Sequence, residues 1–243
     1  MKFNALAQKA AMGSAPAAYG GALEVEHLIA FALEHGAAGA DEIERLCALH
    51  GWLEDGLLPD GCRVVPFARW ATACAAYARD GVAGLRPLLA DPAMAAFAVG
   101  VLEAVRTRDA VAELLAYCER ADWRASDAAA APWRALGALN LQLSFDDSVP
   151  IDATLQHALY ETAVKAWGAT SVTHLKAVSL YALRGAPLAA SLGWVDALVV
   201  ADPDLVSARR VVLRSLKRRL DANYAAPDAR KRREIAKARS RAT

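Results

Sequence analysis

The stretches "LLADPAM" (Leu88–Met94) and "VVADPDL" (Val199–Leu205) carry the same Ala-Asp-Pro triplet behind two apolar residues. In both, Asp precedes Pro. That order is expected where an aspartate caps a helix and proline takes the first turn, which needs no N–H from it. The residues downstream keep register: Val101-Leu102 falls on Val212-Leu213, and Arg106 and Arg108 fall on Lys217 and Arg219. Upstream, an apolar helix is predicted to end in Leu88-Leu89 in one copy and in Val199-Val200 in the other. Each copy therefore predicts a helix, an Asp-Pro turn and a second helix.

The rest of the chain is consistent with helix. Its 243 residues are 56% hydrophobic, mostly Ala and Leu, and only 7% aromatic. Ala and Leu are the better helix formers, so the composition favours an all-α protein with enough apolar surface for one large core. Gly, Pro and Asp signals delimit short helices over Leu23–His35, Asp41–His50, Val65–Arg79, Val82–Ala90, Pro92–Arg106 and Asp109–Arg120. Further ones are predicted over Ser126–Leu143, Asp152–Trp167, Ser171–Leu183, Pro187–Ala201 and Pro203–Leu220. The organisation expected is a single helical domain over residues 1–224, followed by a basic tail or terminal helix over 225–243.

The units "GLRPLLADPAMAAFAVGVLEAV" and "WVDALVVADPDLVSARRVVLRSL" resemble the HEAT-like α-solenoid repeat, in which two helices joined by a turn that commonly contains Asp-Pro make one unit. The resemblance implies antiparallel helix pairs stacked in a row. An apolar face almost all round the helix from Pro92 is what a helix between neighbours needs. The alternative is an irregular helical bundle in which Asp-Pro merely starts helices.

The net charge of +1 hides an asymmetry. From Arg209 onward, 13 Lys or Arg face three acidic residues, a net of +10, which leaves −9 for everything before. Arg210, Arg214 and Arg218 form a stripe on the last predicted helix, and Arg230, Lys231, Arg232 and Arg233 extend the basic patch into the tail. Such clusters attract phosphates or an acidic partner.

No sequence feature specifies a reaction. Nucleophile elbows, P-loops and dinucleotide-binding glycine patterns are absent. Glu24 and His27 have the spacing used by di-iron bundles, but no second Glu-x-x-His accompanies them. Cys47, His50 and Cys62 lack a fourth zinc ligand, and Cys74 and Cys118 lie in apolar helical patterns. His157 and Glu161 stand one turn apart as an ordinary surface pair. No metal and no cofactor is expected.

The candidates for contact with a partner are Asp146 and Asp147, in the irregular stretch "LNLQLSFDDSVPID", with Trp123 and Trp133 as exposed anchors. Trp52, Trp70, Trp123, Trp133, Trp167 and Trp194 are spaced too irregularly for a ladder, and several of them should lie in the core. Gln8 and Lys9 break the only apolar run near the start, and no stretch approaches a bilayer span, so a cytoplasmic location is expected.

The function expected is non-enzymatic protein binding on a helical scaffold. Its concrete form is a bacterial immunity protein whose acidic body inhibits a basic toxin. The alternative is a nucleic-acid-binding protein, since one family of alkylpurine DNA glycosylases is built from HEAT-like repeats.

Overall fold

A computed structural model describes residues 34–41, 67–124, 131–144 and 148–221, and all regular structure among them is helical. The chain divides into two compact units, Met1–Val105 and Arg106–Thr243. The expected helices Leu23–His35 and Asp41–His50 fall largely outside the described residues. Residues 34–41 are helical, including 36–40, which the sequence places between two helices.

In the first unit, α1 (Phe67–Asp80), α2 (Val82–Ala90) and α3 (Ala95–Val105) each pack against the other two. Gly81, at φ +61°, makes the one-residue turn between α1 and α2 that a side chain would strain. α3 buries Ala95, Ala98, Val99, Gly100, Val101 and Leu102, which cover most of its circumference, as its sequence predicts.

The two Ala-Asp-Pro triplets turn out to serve different geometries. Asp202 is the N-cap of α9 (Pro203–Leu220): its Oδ1 accepts from the N–H groups of Asp204 and Leu205 at 2.9 and 3.2 Å. Asp91 instead ends α2, and its Oδ1 accepts from Ala93 N–H at 2.9 Å in a turn that occupies Pro92–Met94 before α3 begins. The upstream helices differ as well. Leu88-Leu89 lie inside α2, whereas α8 (Ala189–Ala197) stops short of Val199-Val200. The backbone is extended at Leu198 and at Asp202, and at Asp202 the cause is local, because a residue before proline is pushed out of the helical region.

The second unit also contains α4 (Arg108–Glu119), α5 (Ala131–Leu143), α6 (Ala153–Ala169) and α7 (Thr173–Ala182), with a 3-10 turn over Leu183–Gly185. Helices adjacent in sequence pack as pairs: α4 with α5, α6 with α7, and α8 with α9. Helices two apart also pack, α4 on α6, α5 on α7 and α7 on α9. The core along these contacts is aliphatic, with Leu114, Leu136, Leu139, Leu159, Leu180 and Leu216 fully buried. Gly185 fits between α5 and α6 so closely that a Cβ there would stand 2.7 Å from Leu143 and 3.0 Å from Leu159.

One polar device occurs twice in this unit. Asp152, the N-cap of α6, uses Oδ1 to accept from Leu155 N–H and Oδ2 to pair with Arg108 at the start of α4. Asp202 caps α9 with Oδ1 while its Oδ2 accepts from the hydroxyl of Thr173, the first residue of α7, at 3.1 Å. In both cases a capping carboxylate ties the beginnings of two helices together, so α4 and α6 start side by side, as do α7 and α9.

These hydrogen bonds favour the ionised carboxylates. The Asp152 carboxyl is held below the usual range chiefly by the Leu155 N–H and then by Arg108, and the Asp202 carboxyl chiefly by the Leu205 N–H. A depressed native pKa gives stability that is fully present above the unfolded value of about 3.9 and is lost as pH falls through the native one. Thermal unfolding of Asp202→Ala should therefore show a lower midpoint than wild type at pH 7, with the gap closing at pH 2. A gap of the same size at both pH values would refute this assignment.

Candidate partner-binding site

At one end of the second unit the last turn of α6, the first turn of α7 and the end of α8 come together around two tryptophans. Trp167 and Trp194 meet edge to face, with ring centroids 5.8 Å apart and planes at 90°. The Lys176 ammonium lies 5.0 Å from the centre of the Trp167 ring, within cation–π range. Both indoles are partly exposed. Val172, just before α7, is 43% exposed, and Val199, in the segment between α8 and α9, is 98% exposed. The Thr173–Asp202 hydrogen bond brings the start of α9 to the same end.

This group was not legible as a set in the sequence. Trp167 and Trp194 are far apart in the chain and share no motif. A weak signal exists, since Gly168 and Gly193 flank them and offer no side chain to cover an indole.

The tryptophans singled out from the sequence behave differently. Trp123 and Trp133 were expected to be exposed anchors, but they are 2% and 3% exposed. Their rings pack edge to face at 4.8 Å, so each covers the other's apolar surface. Their indole N–H groups meet no acceptor among the described residues. Asp146 and Asp147 lie outside the described residues, as do Glu24, His27, Cys47, His50, Cys62 and the basic residues Arg230, Lys231, Arg232 and Arg233. Arg210, Arg214 and Arg218 are all exposed on α9.

Among the described residues no cluster of His, Cys, Asp and Glu could hold a metal ion, and no helix is long and apolar enough to cross a membrane. His157 Nδ1 is engaged with the Ala153 carbonyl at 2.7 Å. The Cys118 thiol is fully buried; burial, and then the charge of Glu119, push its pKa up, so the thiolate needed for nucleophilic work is disfavoured. Cys74 is buried too.

The arginines of α9 separate into two sets. Arg209 donates through Nε to the Val195 carbonyl at 2.9 Å and through its guanidinium to the Asp196 carbonyl, at the end of α8. Arg219 donates to the Leu143 carbonyl at 2.8 Å and to that of Arg184, while Arg184 donates to the Ser144 carbonyl at 3.3 Å. Both arrangements place cations on the negative ends of helices, where they are stabilising. Arg210, Arg214, Lys217 and Arg218 point outward.

Compared with protein-family models, curated proteins and solved structures, the chain matches none.

Proposed function

We propose that this chain is a non-enzymatic binding protein, that its second unit is a short HEAT-like stack of helix pairs, and that a protein partner docks where Trp167 and Trp194 reach the surface. The observation that carries the reading is the partly exposed tryptophan pair, together with the exposure of Val172 and Val199 in the segments that follow α6 and α8. Tryptophans dominate binding energy at protein interfaces, and a side chain 98% exposed such as Val199 gains free energy when a partner covers it.

The stack is supported by the packing of helices two apart and by the two capping aspartates that tie helix beginnings together. In a row of helix pairs, equivalent helices of successive pairs run parallel, and the joined beginnings of α4 and α6 and of α7 and α9 support that reading. The charge of −9 before Arg209 supports a basic partner, attracted at long range and fixed by the apolar end. In its specific form the partner is a toxin encoded beside this chain, inhibited by direct binding in the manner of a bacterial immunity protein.

Titration calorimetry against the protein encoded beside this chain tests the reading. A stoichiometric complex is expected, weakened by roughly 30-fold or more in Trp167→Ala/Trp194→Ala, as for residues that anchor an interface. Absence of a complex, or a complex indifferent to both substitutions, would overturn it.

A further inference from the structure

The outward face of α9 is a second surface, independent of the tryptophan end. Its exposed residues from Ser207 to Arg218 are Ser207, Arg210, Val211, Arg214, Lys217 and Arg218. Four of these six are cations, and the acidic residues of the helix and its two caps, Asp202, Asp204 and Asp221, lie beyond either end of the stretch. From Arg210 to Arg218 the row covers about 12 Å at 1.5 Å per residue.

Arg209 and Arg219 are consumed by carbonyls, which explains their presence structurally. That explanation does not extend to Arg210, Arg214 and Lys217, which make no hydrogen bond or ion pair among the described residues. Arg218 adds to the concentration of positive charge, since its proximity to Arg184 works with burial to disfavour the Arg184 cation. Like charges held in a row on one rigid helix repel one another, a cost that an anionic partner relieves.

We infer that the Arg210–Arg214–Lys217–Arg218 face of α9 binds the phosphate backbone of a nucleic-acid duplex without reading its sequence. An acidic protein surface fits less well. Protein interfaces centre on aromatic or apolar anchors, whereas Val211, at 40% exposure, is the sole apolar side chain among the exposed residues of this stretch. Phosphate contacts need only positive charge at suitable spacing. Stacking on single-stranded bases is not served either, because the face carries no aromatic ring.

The test measures binding of the full chain to 20-base-pair DNA and RNA duplexes by fluorescence anisotropy between 50 and 200 mM salt. Two variants are compared with wild type. Arg210→Ala/Arg214→Ala/Lys217→Ala neutralises the face, and Arg120→Ala/Arg124→Ala/Lys165→Ala removes three exposed cations elsewhere in the second unit. Wild type is expected to bind at least one duplex with a steep salt dependence. The α9 variant should lose about 2.7 from the slope of log affinity against log salt, at about 0.9 per phosphate contact, and the other variant should keep it.

Binding of DNA alone or of RNA alone sustains the proposal and identifies the duplex. No duplex binding by wild type at 50 mM salt overturns it. So does an equal loss in both variants, which would make net charge rather than this face responsible. Poly-L-glutamate bound as tightly as either duplex, with the loss confined to the α9 variant, would reassign the face to acidic protein. Because Ala is the strongest helix former and the replaced side chains are exposed, the α9 variant should keep its thermal midpoint; a loss of duplex binding with the fold intact isolates the contact.

Discussion

Gly84→Ala should strip hydrogen-exchange protection from α1 and α2. A Cβ at Gly84 would lie 2.2 Å from the Ala76 carbonyl oxygen and 2.9 Å from its carbon. Those are backbone atoms of the neighbouring helix, and no rotamer change moves them, so the two helices must part along their contact. Overpacking of this kind costs roughly 1–3 kcal/mol and occasionally more. Against it stands the better helix propensity of alanine, at most about 1 kcal/mol.

The control is Gly137→Ala in α5, where an added Cβ meets nothing within 4 Å. There only the propensity gain remains, and the variant should be more stable than wild type by about 0.5–1 kcal/mol. Exchange rates for the amides of α1 and α2, together with urea unfolding of both variants, check the pair. Unchanged protection in Gly84→Ala would mean that the close approach of α1 and α2 is not a constraint on the fold.

Leu139→Ala should be strongly destabilising. Leu139 is fully buried in the helix that packs on α4, α7 and the 3-10 turn, and removing a buried leucine costs about 2–5 kcal/mol through lost burial and the cavity left behind. Two residues on, Leu141 is 44% exposed, and Leu141→Ala should stay within about 0.5 kcal/mol of wild type. Chemical denaturation followed by tryptophan fluorescence reports the difference directly, because Trp133 lies buried in the same helix. Equal effects at the two positions would show that α5 does not present the face described here to its neighbours.

How far the functional surface could be read from the sequence depended on whether a local rule governed each residue. The stripe Arg210, Arg214 and Arg218 was legible because i, i+4 spacing fixes a common face once α9 is recognised as a helix. What the sequence could not distinguish was the role of Arg209 and Arg219, one residue away from members of the stripe, whose acceptors are carbonyls of α8 and α5. Trp123 and Trp133 misled for a related reason: flanking "RASDAAAAP", they sit beside a polar stretch, yet they bury each other.

The sequence by itself determined the helical class, most helix boundaries to within a few residues and the capping role of Asp202. Those follow from propensity, proline geometry and side-chain bonds to N–H groups two or three residues away, all of which act within a few residues. The paired Ala-Asp-Pro stretches show the limit of that reasoning. The triplet allows both a helix cap and a turn, and the tertiary structure uses one at Asp202 and the other at Asp91. Only the packed molecule decided which tryptophans are covered, which arginines are spent on helix ends and which remain at the surface. Those outcomes depend on which helices become neighbours, and that is set by the burial of whole leucine-rich faces rather than by any residue's immediate surroundings.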